Sequence, residues 1–234
     1  MSAVVVSCLL LGVPAGWFAG VLVDRVPDGL PLSRPLPGIT LDALHLLVVG
    51  LTVGLFGLAG WRFADAPTGM LVAVLVFFTS VVALSVIDVR ELRLPDRIVG
   101  PTYVILLPLV VWVSIAEEQP ERIRYALLGG AVWVILLGVG WLVGMGFGDV
   151  KAGGVYGMMV GWMASTGTEA LALVMWSLII GTLLASAYGV AAKLWQLARV
   201  APGERSRQWF AFGPYLAVGA VVVGLFADLL GPAA

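Results

Sequence analysis

Histidine and cysteine are almost missing from this sequence: His45 and Cys8 stand alone in 234 residues. A single cysteine excludes an intramolecular disulfide and a CxxC zinc site, and His45 has no second histidine at ligand spacing. A Ser-His-Asp or Cys-His enzyme would need one of the two, yet each sits within an apolar stretch. His45 therefore reads as a packed or interfacial helix residue and Cys8 as a small apolar filler. Charge is also scarce, at 12% of residues with a net charge of -1. No basic stripe with interleaved aromatics is present, so no nucleic-acid partner is expected. What fills the chain is apolar: 61% of residues are hydrophobic and the mean hydropathy is +1.05. These values lie outside the range of soluble domains and within that of polytopic membrane proteins.

About 20 apolar residues cross a bilayer. On that ruler the sequence predicts an all-α membrane bundle of about eight spans: Ala3–Val23, Leu41–Trp61, Thr68–Ile87, Ile98–Ala116, Tyr125–Met145, a short Gly154–Ala164, Ala170–Leu194 and Gly213–Leu230. The first lacks a basic leading region and an Ala-x-Ala-like end, so it reads as a retained span. Ten of the thirteen basic residues fall in the odd-numbered connections. By the positive-inside rule those connections face the cytoplasm and both termini face outward. No soluble domain is expected, and residues 1–234 read as one integral-membrane unit. The polar stretch 25–40, with Pro27, Pro31, Pro35 and Pro37, is too short and proline-rich to form a core. The stretch 196–211 reads either as an amphipathic interfacial piece or as an ordinary positive-inside anchor with interfacial tryptophans. Gly153, Gly157 and Gly161 recur every fourth residue and line one helix face, which lets a second helix approach closely.

Two aspartates stand out by position. Carboxylates near a bilayer are costly and usually have a partner or a function. Asp88 directly ends the run Val81 to Ile87, and Asp149 is separated from the fifth span only by glycines and Phe147. Both fall in odd connections, hence at the cytoplasmic face. Two carboxyls brought together at a partly dry site titrate as a pair. One holds a proton while the other takes a proton from water, the arrangement by which aspartic proteases activate water without a metal or covalent intermediate. Within Gly144-Met145-Gly146-Phe147-Gly148-Asp149-Val150-Lys151, the glycines allow positive φ and close backbone approach. They serve either as access for an extended substrate or as a helix end and packing surface. Lys151 either steers the carboxylates or a substrate, or is a snorkelling anchor. Pro95 ends regular structure, and Asp96 is placed to cap the fourth helix.

Three blocks of the chain resemble those of bacterial prepilin peptidases, the type IV leader peptidases, which belong with the GxGD membrane aspartic proteases. Ile87-Asp88 with Leu94-Pro95-Asp96 resembles the family's first aspartate motif. Gly144 to Lys151 resembles the second, and Phe212-Gly213-Pro214-Tyr215-Leu216 resembles the block that opens the last span. Gly16 to Pro27 is more distantly similar to the end of the first span. The resemblance implies cleavage of the basic leader of type IV prepilins or pseudopilins at the cytoplasmic face of the bacterial inner membrane. It implies that Asp88 and Asp149 take the catalytic positions; Gly146, Gly148 and Lys151 are expected as substrate-binding or active-site support, and no cofactor is expected. Many bacterial members also carry a cytoplasmic domain with four zinc-binding cysteines after the first span, and they N-methylate the new terminus with S-adenosylmethionine. Residues 25–40 contain no cysteine. The expectation is a peptidase without a zinc site, and with methylation in doubt. Two other classes remain open: a transporter or channel using the carboxylates for protons or cations, whose acids would lie near mid-span, and an inactive pilus-assembly scaffold.

Overall fold

The structure, a computed structural model, describes residues 2–31, 42–142, 144–199 and 211–227. These form eight helices and, among the described residues, no strand: α1 Ala3–Arg25, α2 Ala43–Arg62, α3 Thr68–Glu91, α4 Asp96–Ala116, α5 Glu121–Leu142, α6 Phe147–Trp162, α7 Gly167–Arg199 and α8 Gly213–Leu225. Six are long and apolar enough to cross a bilayer, whereas α6 and α8, of 16 and 13 residues, are shorter. The chain is a multi-pass membrane protein. Its outer surface carries Leu10, Val104, Trp112 and Leu142, all more than half exposed. Water would penalise such a surface, and a lipid solvent does not.

Burial ranks the helices. In α3, 67% of the most apolar stretch is inside the protein, against 22% in α5. The short α6 is the most enclosed: apart from Lys151, every residue from Asp149 to Trp162 is buried. Its glycines, alanine, valines and methionines are apolar all round, the pattern of a helix surrounded by others. The glycine stripe has the effect its spacing predicts. A Cβ on Gly157 would overlap the Gly129 carbonyl oxygen of α5, one on Gly129 would overlap that of Gly157, and one on Gly161 would overlap the Tyr125 carbonyl oxygen. The backbones of α5 and α6 therefore touch directly. At the far end of α6, Trp162 Nε1 donates to Ser114 Oγ of α4 at 2.9 Å, a buried bond that satisfies both polar groups.

The helix bounds differ from the expected spans where the site lies. The third helix continues through Asp88 to Glu91, and the sixth begins at Phe147 rather than Gly154. Hydropathy ends a span at the first charge, whereas the backbone continues while its hydrogen bonds are satisfied and its side chains find partners. The eighth expected span runs to Leu230, of which residues 228–230 lie outside the described residues. So do residues 32–40 of the proline-rich stretch and residues 200–210 of the second polar stretch, which include Trp209-Phe210. Cys8 and His45 are both buried, as packed residues should be.

Candidate active site

Alternation of the helices brings the ends of α1, α3, α5 and α7 together with the starts of α2, α4, α6 and α8. Both singled-out aspartates are at that end. Asp88 occupies the last turn of α3, which closes at Leu92 in the left-handed region (φ 52°), with the Leu92 N–H donating to the Asp88 carbonyl at 2.9 Å. Such a C-cap reverses the chain within one residue. The short link through Pro95 then leads into α4. Asp149 occupies the first turn of α6. Gly144, at φ 112°, turns the chain where an L side chain would be strained, and extended Gly146 caps α6 by accepting the Asp149 N–H at 3.1 Å. Neither aspartate is in a loop, contrary to the hydropathy reading.

The two carboxyls converge. Asp88 is 5% exposed and Asp149 8%. A Cβ placed on Gly213, at the start of α8, would stand 2.8 Å from Asp88 Oδ2 and 3.4 Å from Asp149 Oδ1. Both oxygens thus reach one point. The Gly213 N–H donates to Asp88 Oδ2 at 3.0 Å in a buried hydrogen bond, whereas Asp149 Oδ1 is buried without a protein partner. Both residues line a cavity of about 570 Å³ whose wall also includes Glu91, Leu94, Gly146, Gly148 and Lys151. A cavity of that size suits a short extended peptide segment better than a single ion.

The glycines divide their labour. A Cβ on Gly146 would lie 3.2 Å from Asp149 Oδ2, so this glycine leaves room for the carboxyl. Gly148 is already helical, and its Cβ would stand 2.9 Å from the Cβ of Leu94, so it lets the link from Asp88 pack onto the start of α6. Lys151 Nζ pairs with Asp96 Oδ1 at 2.5 Å and stands 5.0 Å from the centre of the Phe147 ring. Asp96 does not cap α4 with its side chain: Pro95 holds the cap position, and Asp96, in the first turn, uses its carboxylate on Lys151 instead. Tyr103 donates its hydroxyl proton to the Lys151 carbonyl at 2.9 Å, a second tie between α4 and α6.

A charged network borders the site. Arg90, two residues beyond Asp88, pairs with Asp24 of α1 at 3.4 Å. Asp24 also lies 3.4 Å from His45 Nε2 without forming a hydrogen bond, and His45 Nδ1 meets Asp42 at 2.7 Å. The backbone N–H of His45 holds the Asp42 carboxyl below the usual carboxylate range, helped by the His45 side chain. Among the described residues no three histidine, cysteine, aspartate or glutamate side chains gather as a metal site. The sequence reading did not assign a place in the site to Gly213, nor to Tyr156, which is buried two turns along α6 from Asp149 with no protein partner for its hydroxyl. The Phe212-Gly213-Pro214 block is a visible signal for the first, and nothing in the sequence marks the second.

Residues 75–190, which hold both aspartates, match the type IV leader peptidase family. A prepilin leader peptidase/N-methyltransferase of Escherichia coli (strain K12) is 30% identical over 155 residues. That match covers 64% of this chain and 61% of the relative, so about three-fifths of the relative's length is represented. No solved structure matches the chain. Residues 75–190, with the two aspartate blocks within them, are thus a stretch of the type IV leader peptidase family.

Proposed function

We propose that this protein is an aspartic endopeptidase that removes the leader from type IV prepilins or pseudopilins, acting at the cytoplasmic face of the bacterial inner membrane. The observation that carries this reading is the convergence of two buried carboxyls, Asp88 Oδ2 and Asp149 Oδ1, on one point beside a cavity of about 570 Å³. A water at that point is activated when an ionised carboxylate takes its proton. Its oxygen attacks the scissile carbonyl carbon while the protonated carboxyl donates to the carbonyl oxygen. Proton return to the amide nitrogen then lets the C–N bond break. Gly146 leaves backbone space beside Asp149, and the Lys151–Asp96 pair holds the starts of α4 and α6 together.

Position favours hydrolysis over ion transport. Asp88 is in the last turn of its helix and Asp149 in the first turn of its own, whereas carboxylates that carry ions lie near mid-span. The concentration of Arg25, Arg90, Arg93, Arg97 and Lys151 at the same end supports the cytoplasmic side. Residues 25–40 contain no cysteine, and the proposed activity is accordingly leader cleavage, without methylation.

The experiment is direct. The chain is purified, reconstituted in vesicles and incubated with a prepilin that retains its leader. A new N-terminus just ahead of the pilin's hydrophobic segment is the expected product. Intact prepilin, together with a proton leak in the same vesicles, would replace this reading with the transporter.

A further inference from the structure

We propose that Gly213 is the positioning residue of the carboxylate pair: its N–H holds Asp88 as the ionised member, and its missing side chain keeps the space before both carboxyls open. The inference rests on the proposed peptidase reading. Gly213 lies outside the matched residues 75–190, so the family match assigns it nothing.

Three observations converge on it. First, Asp88 Oδ2 accepts a buried hydrogen bond from the Gly213 N–H at 3.0 Å, between residues 125 apart in sequence. Second, the corresponding oxygen of the partner, Asp149 Oδ1, is buried with no protein donor. Helix dipoles alone do not make Asp88 the ionised member: it lies between the last turn of α3 and the start of α8, whose dipoles oppose there, whereas Asp149 lies at the start of α6. The direct donor separates the two carboxyls. A carboxylate that accepts an N–H is stabilised in its charged form, and a buried oxygen with no donor favours the neutral acid. Asp88 is thereby the base that takes the proton from water, and Asp149 supplies one to the substrate carbonyl oxygen. Third, a Cβ at position 213 would stand 2.8 Å from Asp88 Oδ2, closer than ordinary contact, and 3.4 Å from Asp149 Oδ1. Any side chain there would push Asp88 aside or fill the point the two carboxyls share. Gly213 is the first residue of α8 and Pro214 the second, so the Gly213 N–H is one of the first-turn donors that the helix itself leaves unpaired.

The test uses the full chain in detergent with a prepilin substrate, comparing Gly213→Ala with Gly224→Ala. The latter lies in the same helix, where a methyl meets only the end of the Met163 side chain. Gly213→Ala is expected to keep its thermal midpoint and KM while kcat falls about 100-fold, the scale of a misplaced catalytic group. Gly224→Ala should keep kcat. A Gly213→Ala protein with wild-type kcat, or one whose kcat falls only in step with its folded fraction, would overturn the inference. Infrared spectroscopy supplies a second readout that needs neither activity nor a Gly213 variant. The protonated carboxyl band should vanish in Asp149→Asn and persist in Asp88→Asn, and the reverse pattern would refute the assignment. If Asp88→Asn and Asp149→Asn both cleave normally, the peptidase reading itself fails. If they are inactive while Gly213→Ala is normal, only the role of Gly213 fails.

Discussion

Replacing Gly157 with alanine, about two turns along α6 from Asp149, should impair cleavage without touching the site. A Cβ on Gly157 would stand 2.7 Å from both Cγ and Cδ1 of Trp133, against 3.4 Å for ordinary contact, a shortfall of 0.7 Å. On another side it would overlap the Gly129 backbone carbonyl. Trp133 is fully buried and packs edge-on against Tyr156 at 5.8 Å, so neither neighbour has open space to move into. Helices α5 and α6 must therefore separate by a sizeable fraction of an ångström. Overpacking of this kind costs about 1–3 kcal/mol. The displaced helix carries Asp149, while Asp88 sits on α3, so the separation changes the relative placement of the carboxyls. Misplacement near 1 Å lowers turnover about 100-fold. The assay is initial-rate cleavage of a prepilin at saturating substrate, with the thermal midpoint measured on the same preparation. Gly138→Ala in α5, where a Cβ would meet nothing within 4 Å, is the control and should be neutral. Wild-type turnover and midpoint in Gly157→Ala would refute the view that direct backbone contact between α5 and α6 positions the site.

Three further expectations follow from other parts of the molecule. Lys151→Met removes an exposed ion pair with Asp96, of a kind worth at most about 1 kcal/mol, so turnover should fall less than about 10-fold; a loss as large as that of an aspartate variant would place Lys151 in the chemistry. Asp42, whose carboxyl is held below its ordinary value chiefly by the His45 N–H, stabilises the start of α2 above about pH 4. That contribution should disappear as pH falls through the folded value, seen as faster amide exchange in the first turn of α2, and Asp42→Ala should show the fast exchange at every pH. Mass spectrometry of pilin processed by this chain alone, with S-adenosylmethionine supplied, should find an unmethylated new terminus.

The architecture was largely legible because lipid imposes a simple rule: apolar runs of spanning length must be helices. Asp88 and Asp149 were legible for the same reason, since a charge abutting an apolar run is costly and needs a cause. The helix bounds around them were not. Sequence hydropathy stops α3 at Ile87, but Leu92 closes the helix four residues after Asp88 by adopting a left-handed conformation that leucine rarely takes. The start of α6 at Phe147 was hidden because its glycines disfavour helix, a preference overridden by contact with α5 and Leu94. Asp96 sits where a cap is expected, but its carboxylate pairs with Lys151, 55 residues away, a partner that the local sequence does not mark. Gly213 illustrates the same limit, since its role depends on where α8 begins relative to α3.

The central claim is that Asp88 and Asp149 work as one unit. Its most direct test is leader cleavage by Asp88→Asn and Asp149→Asn, each shown to be inserted and as abundant as the wild type. Asparagine preserves size and removes the titrating carboxyl, so each single variant should be inactive, and the double variant no worse than either. Retained processing by either single variant would contradict the account.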